Sequence, residues 1–242
     1  MPHSARVALH ATAWLHGQAG SDDLLAEFGD PDLALAFAEV TDRGDRPLTA
    51  PDVLLRLRRD GARGAGLALP VAGDPVGLGG PPEFNADAMH AGEAVVVGGI
   101  GLVPHIHGES LVWRLHPAQS RQVPDVGEAD RALRGELLSA TRELARREVA
   151  SWHPELADEL QELRRAGHIE TPPGTPPSCA VLAADAVRAL ALVHLAQRGD
   201  GAAGAPALIE ERRVVLSGLA GAARRGLVAA CSWDSWPANE LD

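Results

Sequence analysis

The stretch 101–116, GLVPHIHGESLVWRLH, constrains the fold more than any other, because it alternates residue character on both sides of a glycine-containing turn. Strand side chains point to opposite faces with a period of two, so the pattern predicts a hairpin turning at Gly108-Glu109. In that register Leu102, Pro104 and Ile106 share a face with Leu111, Trp113 and Leu115, while Val103, His105 and His107 share the other with Ser110, Val112 and Arg114. One face is apolar and the other mostly polar, which implies a sheet exposed on one side. Pro104 has no N–H to give to a ladder and predicts an edge or the start of one.

Two further strands are expected at 66–71 (GLALPV) and 93–97 (EAVVV), short apolar runs bounded by Gly and Pro. They join the hairpin strands at 101–107 and 110–116. Around them the pattern turns helical. Helices are expected at 4–17, at 21–28 with Ser21 as cap, at 32–40, and from Pro51 with Thr49 or Ala50 at the cap. A helical turn is expected at 85–90.

Beyond Pro117 no strand pattern remains. Asp125 followed by Glu128 imitates a capping box ahead of a long amphipathic helix reaching about Trp152. Helices at 154–167, 178–198 and 206–230 follow, the middle one apolar nearly all round. The expected fold is therefore α+β: several N-terminal helices and a small, mainly antiparallel sheet, packed with a C-terminal helical layer of about four helices. We divide the chain into an α+β lobe at 1–118, a helical lobe at 125–232 and a tail at 233–242, together one compact unit. Trp233 and Trp236 in that tail are expected to dock on the helical layer, with a partner as the alternative.

Composition narrows function mainly by exclusion. With 45% hydrophobic and 23% charged residues the 242-residue chain belongs with globular proteins rather than disordered ones. All 22 basic residues are Arg, so Schiff-base chemistry, a lysine at a nucleotide phosphate and a lysine general base are absent. A net charge of -11 argues against nucleic acid as a partner, which needs a concentrated positive surface. The sequence has neither an uninterrupted run of about 18 apolar residues nor a secretion pattern at its start, so no membrane association and a cytoplasmic location are expected. Cys179 and Cys231 cannot make a disulfide framework or a multi-cysteine zinc site; they are expected as buried thiols.

Two places could carry chemistry. His105 and His107 are alternate strand residues, so two imidazoles could hold one divalent metal ion, given an acid such as Glu109 or one from the helical half. His116 is set aside, because it stands roughly 13 Å along the hairpin from the position opposite His105 at standard strand rise. The Gly/Pro-rich loop after the first strand is the other place: Asp74, Gly77, Gly79, Gly80, Glu83 and Asn85 could bring backbone amides and polar groups to a small ligand. Gly61, Gly64 and Gly66 only superficially imitate a dinucleotide fingerprint, since they follow a helix and enter a strand.

By elimination the leading reading is a regulatory or protein-interaction module, with a small ligand at the 73–85 loop and an unknown protein partner or self-association. A metal-dependent hydrolase-like enzyme using His105 and His107 is the alternative.

Overall fold

The computed structural model describes residues 1–29, 38–39, 49–108, 110–119, 123–146, 169–198 and 206–235. They form an α+β protein with seven helices and a four-stranded antiparallel sheet, to which a two-residue parallel strand is added. The chain divides into two units. One comprises Met1–Val123, Thr171–Pro176 and Cys231–Asp242; the other comprises Pro124–Glu170 and Pro177–Ala230.

In the first unit α1 (His3–Leu15) and α2 (Ser21–Glu27) precede β1 (Ala38–Glu39) and α3 (Ala50–Arg59). Then come β2 (Ala65–Ala68), α4 (Pro82–Ala91), β3 (Ala94–Val97), β4 (Ile100–His107) and β5 (Ser110–Pro117). The sheet order is β1-β5-β4-β3-β2. Thr49 caps α3 reciprocally with Asp52: the Thr49 N–H donates to Asp52 Oδ2 at 2.8 Å, and the Asp52 N–H reaches Thr49 Oγ1 at 3.4 Å. At α2 the cap is Gly20, whose N–H donates to Asp23 Oδ2, and Ser21 lies inside the helix instead. Ala38 and Glu39 are extended beside Arg114 and Leu115 rather than helical, and the rest of the helix expected at 32–40 lies outside the described residues.

The hairpin has the register that its alternation predicts, with Leu102 opposite Leu115, Pro104 opposite Trp113 and His105 opposite Val112. β3 pairs only with Ile100, Gly101 and Leu102 of β4, so Pro104 lies past its end, where a missing N–H costs no ladder bond. On one face Trp113 is fully buried, stacks edge-on against Phe28 at 5.5 Å and donates its indole N–H to the Phe28 carbonyl at 3.1 Å.

The other face is not open to solvent, contrary to the one-sided sheet expected. α4 covers it, burying Phe84 and Ala88 against Val96, Val103 and Ala118. Gly101 makes this possible, because a Cβ there would run into the Phe84 ring and the Ala118 methyl. A full helix thus replaces the single turn expected at 85–90. Residues Phe84, Asp87 and Ala88 have the i, i+3, i+4 spacing of one helix face.

The outer edge of β2 is closed by three separate segments. The N–H of Ala65 donates to Thr12 Oγ1 of α1 at 3.0 Å, that of Leu67 to Ser232 Oγ at 2.9 Å, and that of Leu69 to the Val76 carbonyl at 3.2 Å. Such cover leaves no row of free donors for strand addition.

The second unit contains α5 (Val126–Arg146), α6 (Pro177–Arg198) and α7 (Pro206–Cys231) apart from its last residue. Asp125 Oδ1 accepts from the N–H of Gly127 and of Glu128, at 2.9 and 3.0 Å, and so starts α5. The helix expected at 154–167 lies outside the described residues. Gly226 of α7 lies against Leu182 and Ala186 of α6 and Leu133 of α5, so the three helices share one core. By length and composition α6 and α7 are also apolar enough to cross a membrane. Cys179 and Cys231 are both buried, and burial pushes the Cys179 thiol up from its ordinary value.

Candidate functional site

Among the described residues, a close group of titratable side chains centres on Asp87 of α4. His116 of β5 brings Nε2 within 2.7 Å of Asp87 Oδ2. His105 of β4 lies with Nε2 at 3.1 and 3.2 Å from the two carboxylate oxygens, and Arg114 of β5 places a guanidinium nitrogen 3.4 Å from Oδ1. The hairpin register puts all three basic residues on the face that α4 covers, and the helix periodicity aims Asp87 at them. The three central side chains are nearly enclosed, at 14% exposed for Asp87, 12% for His105 and 9% for His116, while Arg114 reaches solvent at 42%.

Burial alone would favour the neutral form of Asp87. Hydrogen bonds from His116 and His105, together with their charge, outweigh it and hold the carboxyl below the usual carboxylate range. Asp87 is therefore an anion at neutral pH, and each imidazole that donates to it must carry a proton on Nε2.

His116, set aside on its distance along the strand, belongs to this group after all. The register is as expected; what the strand geometry omits is a carboxylate on a neighbouring helix that stands between two imidazoles reaching from opposite directions. His105, which the strand alternation places beside His107, engages Asp87. The backbone of His107 pairs with Ser110, but its side chain and Glu109 lie outside what is described. Among the described residues, no group of three or more His, Cys, Asp or Glu side chains is arranged to hold a metal ion.

The loop proposed for a small ligand is built largely around its own hydrogen bonds. Val71 and Asp74 exchange backbone bonds at 3.0 and 2.9 Å, Leu78 donates to the Pro75 carbonyl, and the Gly80 N–H donates to Asn85 Oδ1 at 3.0 Å. The Gly80 carbonyl accepts from the Gln119 N–H at 2.9 Å. Gly77 has a φ of +85° and rests against the β2 backbone, where a Cβ would press on Leu67 and Ala68. Asn85 and Glu83 sit on α4, Asn85 closing the loop and Glu83 in the first turn. Asp74, Gly77, Gly79, Gly80, Glu83 and Asn85 therefore belong to one segment, in which Gly77, Gly80 and Asn85 have defined packing or bonding duties.

In the tail, Trp233 and Asp234 meet His16 at the end of α1, and Trp236 lies outside the described residues.

Two family models match this chain. That of the N-terminal domain of Rv1486c-like proteins covers residues 4–128, and that of their C-terminal domain covers 127–228. The chain belongs to the Rv1486c-like family. The boundary between the two family domains falls within a few residues of the division at Val123 and Pro124, and the Asp87 group lies in the N-terminal domain. Among relatives of this Rv1486c-like chain, the uncharacterized protein Rv1486c of Mycobacterium tuberculosis (H37Rv) is 30% identical over 183 residues, covering 59% of this chain and 64% of the relative. The uncharacterized protein MAV321 of Mycobacterium avium is 28% identical over 221 residues, 72% of each. The chain thus spans less than two thirds of the length of the M. tuberculosis relative. No solved structure matches.

Proposed function

We propose that this chain is a regulatory or protein-interaction module of the cytoplasm, in which the charged residues of the hairpin build a rigid platform rather than perform a reaction. The observation that carries this reading is the saturation of Asp87. Three basic side chains close on one carboxylate, and both imidazoles turn inward through Nε2 at little exposure. A general base needs a lone pair aimed at an incoming substrate; an enclosed anion with its donors already in place acts as a clasp between α4 and the hairpin. Beyond the clasp, Ile106 is 73% exposed beside the turn, and Leu138, Val181 and Val214 are exposed on α5, α6 and α7, offering apolar contact surface. The 73–85 loop takes no part in this proposal; the amides of Asp74, Leu78, Gly80 and Asn85 are engaged locally. α6 and α7 are read as core helices, in keeping with the Asp185–Arg188 pair at 3.3 Å within α6.

A metal-assisted hydrolase is the second reading, favoured by one observation: Asp87 supplies beside His105 the acid that the strand pair of histidines lacks. Elemental analysis of protein purified without a tag or added metal, for the native chain and Asp87→Asn, separates the two. The platform reading expects no stoichiometric metal in either and a lower melting temperature in the variant. Near-stoichiometric metal that is lost in Asp87→Asn overturns it in favour of the hydrolase.

A further inference from the structure

The three donors on the outer edge of β2 differ in what holds them. Ala65 is served by Thr12 of α1 and Leu69 by the carbonyl of Val76, in the loop that follows the strand. Leu67 is served by Ser232 Oγ, which is 165 residues away in the chain and follows directly on α7. The helix reaches this point in close packing, since Leu227–Cys231 are at most 1% exposed and Ser232 is 2% exposed. The next three residues fix the segment in place. Trp233 meets the His16 ring edge-on with centroids 5.4 Å apart, and Asp234 pairs with His16 Nε2 at 2.6 Å. Ser235 donates from N and Oγ to the Ser232 carbonyl, at 3.1 and 2.9 Å, closing a turn. Gly64 and Gly66 form the floor beneath it: a Cβ on Gly64 would collide with the Asp234 carbonyl group, and one on Gly66 would lie 3.1 Å from Ser235 Oγ. Residues 232–235 lie past 228, where the match to the family's C-terminal domain ends, yet they belong to the unit that holds the sheet.

We propose that 232–235 is a strap through which α7 completes the sheet edge of the N-terminal domain, so that the Leu67 N–H keeps its acceptor only while the end of α7 is in place. A single side-chain oxygen closes the middle of the edge, and it leaves when the helix end moves. The acceptors of Ala65 and Leu69 come from α1 and from the neighbouring loop and stay. Loosening α7 therefore opens one donor in the middle of the edge and leaves the donors on either side closed, a local opening distinct from unfolding of the whole unit. Coupling of this kind is reciprocal, so disturbing the strap loosens the last turn of α7 in return.

Amide hydrogen exchange in the full chain reads the three donors side by side. Ser232→Ala removes the acceptor and should speed exchange at Leu67 by about tenfold, with Ala65 and Leu69 changed less than about twofold. Leu216→Ala is the decisive variant: the side chain is buried in α7, roughly 24 Å along the helix from Ser232, so it loosens the helix without touching the strap. Exchange at Leu67 should rise about fivefold while Ala65 and Leu69 hold nearly native rates. In the reverse direction, Gly64→Ala presses on the Asp234 carbonyl and should speed exchange at Ala229, Ala230 and Cys231. The proposal is overturned if Leu67 keeps its native rate in Leu216→Ala, or if all three edge donors rise together, since that is unfolding of the unit as a whole. Should Leu216→Ala fail to fold, the milder Leu216→Val should give about a twofold rise at Leu67 over Ala65, and no difference between the two overturns the proposal equally.

Discussion

The two faces of the β4–β5 hairpin obey the same register and are stabilised by opposite means. On one, Leu102, Trp113 and Leu115 are buried by apolar packing; on the other, His105 and His116 are enclosed about a single anion on α4, with Arg114 reaching it from the solvent side. Apolar packing is non-directional and tolerates small shifts. The charged face depends on one carboxylate placed within hydrogen-bond reach, so losing that group removes an acceptor shared by both imidazoles.

The contrast can be broken most forcefully from the apolar side. Trp113→Ala removes the largest fully buried side chain among the described residues and its hydrogen bond to Phe28, and is expected to cost about 3–5 kcal/mol in denaturant unfolding. Next comes the charged side. Asp87→Ala leaves His105, His116 and Arg114 facing one another without their acceptor, for an expected loss of about 2–3 kcal/mol. His116→Gln, which removes one imidazole but keeps a polar group, should cost about 1 kcal/mol. Arg114→Gln should change stability by at most about 0.5 kcal/mol, because the guanidinium is well exposed and its contact long.

Acid sharpens the same comparison. The carboxyl of Asp87 is depressed in the folded chain, so its contribution is complete above the ordinary carboxylate range of about 4 and is lost as pH falls through the lower folded value. The gap in stability between the native chain and Asp87→Asn should therefore narrow as pH falls below about 4, whereas the Trp113→Ala deficit should show no such carboxylate-linked step. Chemical unfolding at a series of pH values reads both.

The apolar face was legible in advance because alternation alone decides which residues turn inward, and the pairing of Pro104 with Trp113 and of His105 with Val112 follows from it. Helix starts marked by local chemistry were equally legible, as at Thr49 with Asp52 and at Asp125. The charged face was not, since its partner sits on α4, whose start lies in a Gly/Pro-rich stretch and whose length was underestimated as a turn. A signal was present: Phe84, Asp87 and Ala88 are spaced as one helix face, which places an acid beside two core residues. Distance along a strand separates His116 from His105 and is blind to a bridging group from another element. The docking of Trp233 and Asp234 on α1 escaped for a similar reason, because the two glycines that receive the segment advertise a close approach but not what approaches.

The clasp is tested most directly by a double-mutant cycle between Asp87→Asn and His116→Gln, followed by chemical unfolding at neutral pH. If the 2.7 Å bond holds α4 to the hairpin, the two losses should fall short of additivity by about 1 kcal/mol or more, since either change alone already breaks the contact. Strict additivity would contradict the account and leave Asp87 and His116 as neighbours that contribute independently.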